Sequence, residues 1–120
     1  ETHPDIEGGY SSTLEIFNEN HPDYDVILCV NDYMAFGVLK ALRELKIKVP
    51  ENIGLAGFDD ISFASVAGVP LTTVRIPIEE LAVKSVDLLY QRILYKENSK
   101  EKVIWKKTVD TQVVVRQSTL

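Results

Sequence analysis

The sequence is poor in the residues that mark several classes of protein. It has a single cysteine, Cys29, which excludes a disulfide framework and agrees with a reducing cytoplasm. Its two histidines each lie beside a proline, without the spacing to another His or Cys that a metal site needs, so we expect no metal and no other cofactor. No apolar run approaches the ~20 residues that cross a bilayer, and no signal peptide is recognisable at the start.

Basic residues are in deficit as well. Thirteen Lys and Arg are outnumbered by eighteen Asp and Glu, which gives a net charge of -5 at pH 7. A domain that binds nucleic acid normally presents a basic face to the phosphates. These residues are therefore not expected to bind DNA or RNA themselves. The 45% hydrophobic content over 120 residues is typical of a folded globular protein.

The motifs of common enzyme classes are missing. The sequence contains no phosphate loop, no Rossmann glycine fingerprint and no nucleophile elbow. Asp59 and Asp60 are adjacent, so their side chains should diverge, whereas acid/base catalysis needs two carboxyls that converge on one bond. We expect that the protein is not an enzyme; an enzyme on a flavodoxin-like sheet is the less favoured alternative.

The sequence does contain a βαβ pattern over residues 26–60. An apolar run, Val26–Val30, precedes a helix-like segment over 33–46, and a second apolar run, Ile53–Gly57, follows; each run ends in a polar pair. Because the runs do not alternate with polar residues, they predict parallel strands covered on both faces. The carboxyl ends of such strands share one edge of the sheet, where small ligands bind in α/β folds.

The polar pairs at this edge are Asn31-Asp32 and Asp59-Asp60. Asp32 is well placed to cap the following helix, because a carboxylate there accepts backbone N–H bonds. Asn31 can donate and accept, and Asp59 can accept two hydroxyl hydrogens, so together they suit a polyol. The alternative is that both residues satisfy the backbone of local turns.

The helix predicted over 33–46 is apolar on more than one side. One broad face should pack on the sheet. Tyr33 and Phe36 fall on the outer face, which indicates a second contact surface such as a subunit interface. Scattered surface aromatics are the alternative.

Further elements are predicted along the chain. In order they are a loop over 1–8, a helix over Tyr10–Asn18, a short helix within 61–68, a strand over Leu71–Ile76, a helix from Pro77 to about Lys96, two strands or a hairpin over Val103–Val109 and Gln112–Val115, and a polar tail over 116–120.

Five segments, in order, resemble the effector-binding core of the LacI/GalR family of bacterial transcription regulators. They are Val30-Asn31-Asp32-Tyr33-Met34-Ala35-Phe36-Gly37, Val49-Pro50-Glu51-Asn52-Ile53, Gly57-Phe58-Asp59-Asp60, Pro70-Leu71-Thr72-Thr73-Val74 and Val114-Val115-Arg116-Gln117-Ser118-Thr119. The resemblance implies a periplasmic-binding-protein-like type I fold, a three-layer αβα arrangement with a parallel sheet, and an effector between two lobes.

The resemblance also implies how the chain is divided. Residues 1–71 would belong to the C-terminal lobe, 72–100 to the crossover and a helix of the N-terminal lobe, and 101–120 to returning strands. The first residues, Glu1-Thr2-His3-Pro4, suggest a piece of a longer protein. Most of the N-terminal lobe and the helix-turn-helix DNA-binding domain are expected outside this chain.

Roles carry over where residues match. Asn31 and Asp59 match effector-binding positions, and Phe36, Val66 and Ala67 occupy places of the family's dimer contact, to which Tyr33 is added from the helix pattern. Where the family often has an aromatic residue that stacks on the ligand, this chain has His3, which we expect to serve as a flat ring. Ile76 departs from the polar side chain that some sugar regulators carry.

Together these features predict the effector-sensing module of a LacI-type repressor in the cytoplasm. A sugar or related polar metabolite would change the angle between lobes of a homodimer and so, by allostery, the repressor's DNA binding. The alternative is a periplasmic sugar-binding receptor of a transport system. An export signal or a helix-turn-helix upstream would discriminate the two.

Overall fold

The computed structural model describes residues 3–19, 23–96 and 104–119. Its elements, in order, are α1 (Ile6–Glu19), β1 (Val26–Leu28), α2 (Asp32–Glu44), β2 (Gly54–Ala56), a 3-10 turn (Ser62–Ser65), β3 (Thr73–Arg75), α3 (Ile78–Lys96) and β4 (Gln112–Val114). The chain divides into two compact units. Unit 1 comprises residues 1–75 and 113–120, and unit 2 comprises 76–112.

The predicted βαβ unit is present in unit 1. Strands β1 and β2 pair in parallel, with Val26 opposite Gly54 and Leu28 opposite Ala56. Helix α2 connects them, and its predicted face packs on the strands: Ala35, Val38, Ala41 and Leu42 are buried, in contact with a core that includes Leu55. The helical spacing of these small and branched side chains is what produces a continuous apolar stripe.

The prediction that β1 is covered on both faces is wrong for the described part of the chain. Ile27 and Cys29 point towards the core, whereas Val26, Leu28 and Val30 are exposed at 56%, 74% and 68%. Successive side chains of a strand point to opposite faces, so α2 can cover only every second residue. The opposite face carries an open row of apolar side chains.

Helix α1 begins earlier than the predicted Tyr10. The Asp5 carboxylate accepts a hydrogen bond of 2.7 Å from the Gly8 backbone N–H, which caps the helix. Residues 6–8, predicted as part of a loop, therefore belong to α1. A Cβ placed on Gly9 would lie 2.2 Å from the Met34 carbonyl oxygen. Gly9 therefore permits α1 and α2 to approach closely, and Gly8 makes room for the His3 backbone; neither glycine marks a loop.

The centre of the outer face of α2 is covered by α1 and is not exposed to solvent. A Cβ on Gly37 would lie 2.0 Å from the Ile6 carbonyl oxygen, so α1 and α2 touch through their backbones. Around this contact Tyr10 donates a 2.7 Å hydrogen bond to Glu44, and the Lys40 ammonium lies 4.0 Å from the centre of the Tyr10 ring. Helix α1 of the same chain thus provides part of the second contact surface.

The end of the chain is packed and is not the polar tail that was predicted. Ser118 is fully buried: its Oγ donates to the Leu55 carbonyl at 2.5 Å and accepts from the Thr72 N–H at 2.8 Å. The Leu55 N–H donates in turn to the Ser118 carbonyl at 2.8 Å. The final segment therefore extends the backbone hydrogen bonding beside β2.

Strand β4 pairs with β3, so the alternative of a hairpin within 103–115 is wrong. Residues 104–109 form no strand, and Val103 lies outside the described residues. In unit 2, α3 begins directly after Pro77, as predicted, and runs to Lys96. The segment after it is tied to α3 through an ion pair between Lys107 and Asp87 and an edge-to-face contact of Tyr95 with Trp105. No helix within the described ranges has the length and apolar character to cross a membrane.

Candidate effector site at the strand ends

Asn31 and Asp59 lie at the same edge of the sheet. The Asp32 backbone N–H donates a 2.9 Å hydrogen bond to the Phe58 carbonyl. This bond joins the segments that directly follow β1 and β2. Asn31 precedes this bond and Asp59 follows it, and both residues are partly exposed. The prediction that parallel strands bring these two residues to a common edge is confirmed.

Asn31, not Asp32, caps α2, so the predicted cap residue is corrected. The Asn31 backbone is extended, with φ -155° and ψ 171°, and its Oδ1 accepts a 2.8 Å hydrogen bond from the Met34 N–H. Asp32 already belongs to the helix, so its carboxylate points elsewhere. The Asn31 Nδ2 donates at 2.8 Å to the Pro4 carbonyl, which leaves one amide N–H and one lone pair available.

Asp32 is a fully buried carboxylate that joins three segments. Its Oδ2 accepts from the Ile61 N–H at 2.9 Å, and its Oδ1 accepts from the Thr73 hydroxyl at 2.6 Å. A Cβ on Gly57 would lie 2.3 Å from that Oδ1. The glycine directly after β2 therefore makes room for the carboxylate.

The Asp59 carboxylate is available to a ligand. Its backbone N–H donates to the Val74 carbonyl at 2.9 Å, but no group among the described residues donates a hydrogen bond to its side chain. Burial raises the pKa of Asp59, and the negative charge of Asp32 raises it further. An ionised carboxylate without a partner is a strong acceptor for hydroxyl groups.

Asp60 is paired, unlike its neighbour. Its Oδ1 accepts from Arg116 Nη2 and its Oδ2 from Arg75 Nε, both at 2.6 Å, and its side chain is only 5% exposed. Burial alone would raise the pKa of Asp60, but the hydrogen bonds and charges of the two arginines outweigh it, and the pKa is lowered. Sequence reasoning missed this cluster; the signal was an arginine at the end of β3 and another two residues after β4.

The carboxylates at this edge do not form a metal site. The oxygens of Asp32 and Asp60 are already occupied by the donors given above. Nowhere in residues 3–19, 23–96 and 104–119 do three His, Cys, Asp or Glu side chains converge to bind a metal.

His3 does not share a cavity with Asn31 or Asp59. It is exposed and lines a cleft of about 270 Å³ together with residues at the start of α1, among them Asp5, Glu7, Ser11 and Glu15. Neither Asn31 nor Asp59 lines that cleft. The link to the edge is through the next residue, because the Pro4 carbonyl accepts from Asn31. An effector contact by His3 stays a prediction.

A second, larger cavity lies away from the strand ends. This groove of about 740 Å³ is lined by Phe36, Leu39, the segment 46–49 and residues 67–69, with Lys40, Arg43 and Glu51 among its polar side chains. It contains two of the predicted dimer residues, Phe36 and Ala67, and neither Asn31 nor Asp59. Its size suits a small molecule, but Asp59, the predicted acceptor for a polyol, does not line it.

Comparisons with known proteins identify relatives. The chain is 36% identical over 90 residues to the ribose operon repressor of Escherichia coli K12, covering 74% of this chain and 27% of that protein. A LacI family transcriptional regulator of Enterococcus faecium with bound ribose is 30% identical, with a TM-score of 0.78 over 98% of this chain and 41% of that one. The lac repressor dimer bound to operator and an anti-inducer is 29% identical, with a TM-score of 0.81 over 97% and 38%.

The chain spans about a quarter of the length of the curated repressor it matches. Residues 2–119, nearly all of the sequence, match the periplasmic binding protein-like domain family. The predicted fold is thereby confirmed, and so is the resemblance to LacI/GalR regulators at their effector-binding domain. The chain belongs to the periplasmic binding protein-like domain family and is similar to LacI-type repressors at their effector-binding domain.

Proposed function

We propose that this chain is the effector-sensing part of a LacI-type transcriptional repressor of the cytoplasm that responds to a sugar or a related polar metabolite. The observation that carries the proposal is the Asp59 carboxylate, which lies partly exposed at the strand ends without a hydrogen bond from the described residues. The relatives support it, because one is a ribose operon repressor and another holds ribose.

Recognition of a polyol follows from the groups at this edge. The Asp59 carboxylate accepts up to two hydroxyl hydrogens through charge-assisted bonds. Asn31, held in place by its bonds to Met34 and Pro4, offers its remaining N–H and lone pair to a further hydroxyl. Because each of these bonds needs a hydroxyl at a set position, the pair distinguishes sugars from less hydroxylated metabolites.

Sensing requires that the sugar prefers one arrangement of the full-length protein over another. A coupling of about 1 to 3 kcal/mol between effector and operator is typical of such proteins. Eighteen Asp and Glu outnumber thirteen Lys and Arg in this sequence, so we expect operator binding to belong to a helix-turn-helix domain of the full-length regulator rather than to these residues. We expect binding without turnover of the sugar.

The test of the sugar site is calorimetry on the full-length protein. A panel of ribose, arabinose, galactose and lactose is titrated into wild type, Asp59→Ala and Asn31→Ala, with the exposed Asp23→Ala as the control. Loss of a charge-assisted hydrogen bond of about 1.5 to 3 kcal/mol should weaken binding roughly 10- to 150-fold in Asp59→Ala. Unchanged affinity in both edge variants would remove these residues from the site.

We also propose that the regulator is a homodimer through the surface of Tyr33, Phe36, Val66 and Ala67. Val66, directly after the 3-10 turn, is 72% exposed, and Tyr33 is exposed as well, so both are available to a partner. Val66→Glu should shift the dimer towards monomer in sedimentation velocity, whereas Ser62→Glu, an equal charge on an exposed neighbour, should not. Equal behaviour of the two variants would place the interface elsewhere.

A further inference from the structure

Two consecutive residues at the candidate site have left-handed backbones. Asp59 has φ 110° and Asp60 has φ 55°, although neither is a glycine. Residues with side chains rarely adopt this region, and they persist there only where the surroundings hold them. The site therefore contains backbone strain that other contacts must balance.

The contacts that balance it converge on Asp60. Its carboxylate is held by Arg75, the last residue of β3, and by Arg116, two residues after β4. The Asp60 N–H also lies 3.4 Å from the Thr73 hydroxyl oxygen. Because the carboxylate is almost fully buried and accepts from two cations, it can move only if both pairs break.

Asp59 has no comparable support of its own. Among the described residues nothing donates to its carboxylate, so the direction of that side chain is set by its backbone conformation. The backbone is fixed on one side by the bond from the Asp59 N–H to Val74 and on the other by Asp60. The neighbour that is paired thus determines where the unpaired neighbour points.

We propose that Asp60 is a positioning residue for effector recognition, which uses Arg75 and Arg116 to hold Asp59 in the left-handed conformation that presents its carboxylate at the strand ends. This proposal rests on the proposed function, because it assigns Asp60 a part in the same sugar site. It also explains why an adjacent pair of carboxylates serves one ligand. Asp60 is held by the arginines, and Asp59 is left to bind the sugar.

The anchor has a further consequence for signalling. The chain leaves unit 1 after Arg75 and returns to it at Val113, and the two arginines flank these passages. A sugar that pulls on Asp59 therefore acts one residue away from the ion pairs that tie both passages together. We expect weaker coupling between sugar and operator when the anchor is lost.

The experiment is a double-mutant cycle on the full-length protein. Wild type, Asp60→Asn, Asp59→Ala and the double variant are titrated with the sugar of the panel that binds most tightly and with its monodeoxy analogues. Asp87→Asn, which removes an ion-paired carboxylate of α3, is the matched control. Asn is chosen because it keeps the size of Asp60 but cannot accept charge-assisted bonds from both arginines.

We expect Asp60→Asn to weaken sugar binding about tenfold or more and to abolish discrimination against the analogue lacking the hydroxyl that Asp59 binds. In the Asp59→Ala background, Asp60→Asn should then have no further effect, since its role acts through Asp59. Asp87→Asn should bind as wild type does.

Two results would overturn the proposal. One is an equal loss of affinity for the sugar and all its deoxy analogues, which indicates a merely structural role; the other is independent effects of the two substitutions. If Asp59→Ala binds normally, the proposed sugar site is wrong, and a crystal structure of Asp60→Asn decides the positioning role by itself. Asp59 should then have left the left-handed region, and a φ still near 110° refutes the inference.

Discussion

Replacing the buried Asp32 tests how the candidate site is held together. Asp32→Ala removes the acceptor of both the Thr73 hydroxyl and the Ile61 N–H and leaves a cavity beside Gly57. An unsatisfied buried donor costs about 1 to 3 kcal/mol, so we expect a loss of about 3 to 5 kcal/mol in unfolding free energy. Asp32→Asn should cost only about 1 to 2 kcal/mol, because Oδ1 can accept from Ile61 while the amide donates to Thr73.

The assay is urea unfolding followed by circular dichroism, with the two variants compared in the same full-length background. Stabilities of whole domains are about 5 to 15 kcal/mol, so the difference between the variants is readily measured. Both substitutions also remove a negative charge that raises the pKa of Asp59, and carboxyl NMR titration should show that pKa falling. Equal costs for Ala and Asn, or an unchanged pKa of Asp59, would refute this account of the site.

Three further outcomes are expected. Gly37→Ala should lower the unfolding free energy by about 1 to 3 kcal/mol in urea, because the new methyl meets the backbone of α1, whereas Gly68→Ala, with no atom within 4 Å of its Cβ, should be neutral. Sugar affinity in calorimetry should fall as pH drops through the raised pKa of Asp59, and Asp59→Asn should abolish this dependence. The Cys29 thiol, whose pKa burial raises to about 11 with a contribution from Asp32, should resist alkylation by iodoacetamide at pH 8 until the protein unfolds.

Several elements could be read correctly from local pattern. The two apolar runs around 26–30 and 53–57 predicted neighbouring parallel strands, and the structure pairs them as Val26 with Gly54. The helix after Pro77 was placed correctly because proline suits the start of a helix and the apolar spacing continued to Lys96. Periodicity is a local property, so it survives without knowledge of the rest of the fold.

The errors share a physical cause. Gly8 and Gly9 suggested a loop, and Asp32 suggested a cap, because local propensity gives those residues these roles most often. In the structure both glycines lie within α1, where Gly9 permits close contact with α2, and the carboxylate of Asp32 turns to Thr73, which is 41 residues away. Tertiary contacts outweighed the local preference at these positions.

The sequence by itself determined the βαβ order and the edge at which polar residues would gather, because strand and helix periodicity are encoded over a few adjacent residues. Only the tertiary structure decided which polar residue does what at that edge. Asp60 is neutralised by arginines 15 and 56 residues away, whereas Asp59, its immediate neighbour, accepts no hydrogen bond from the described residues. Pairing over such separations depends on how the strands return, and no local pattern records it.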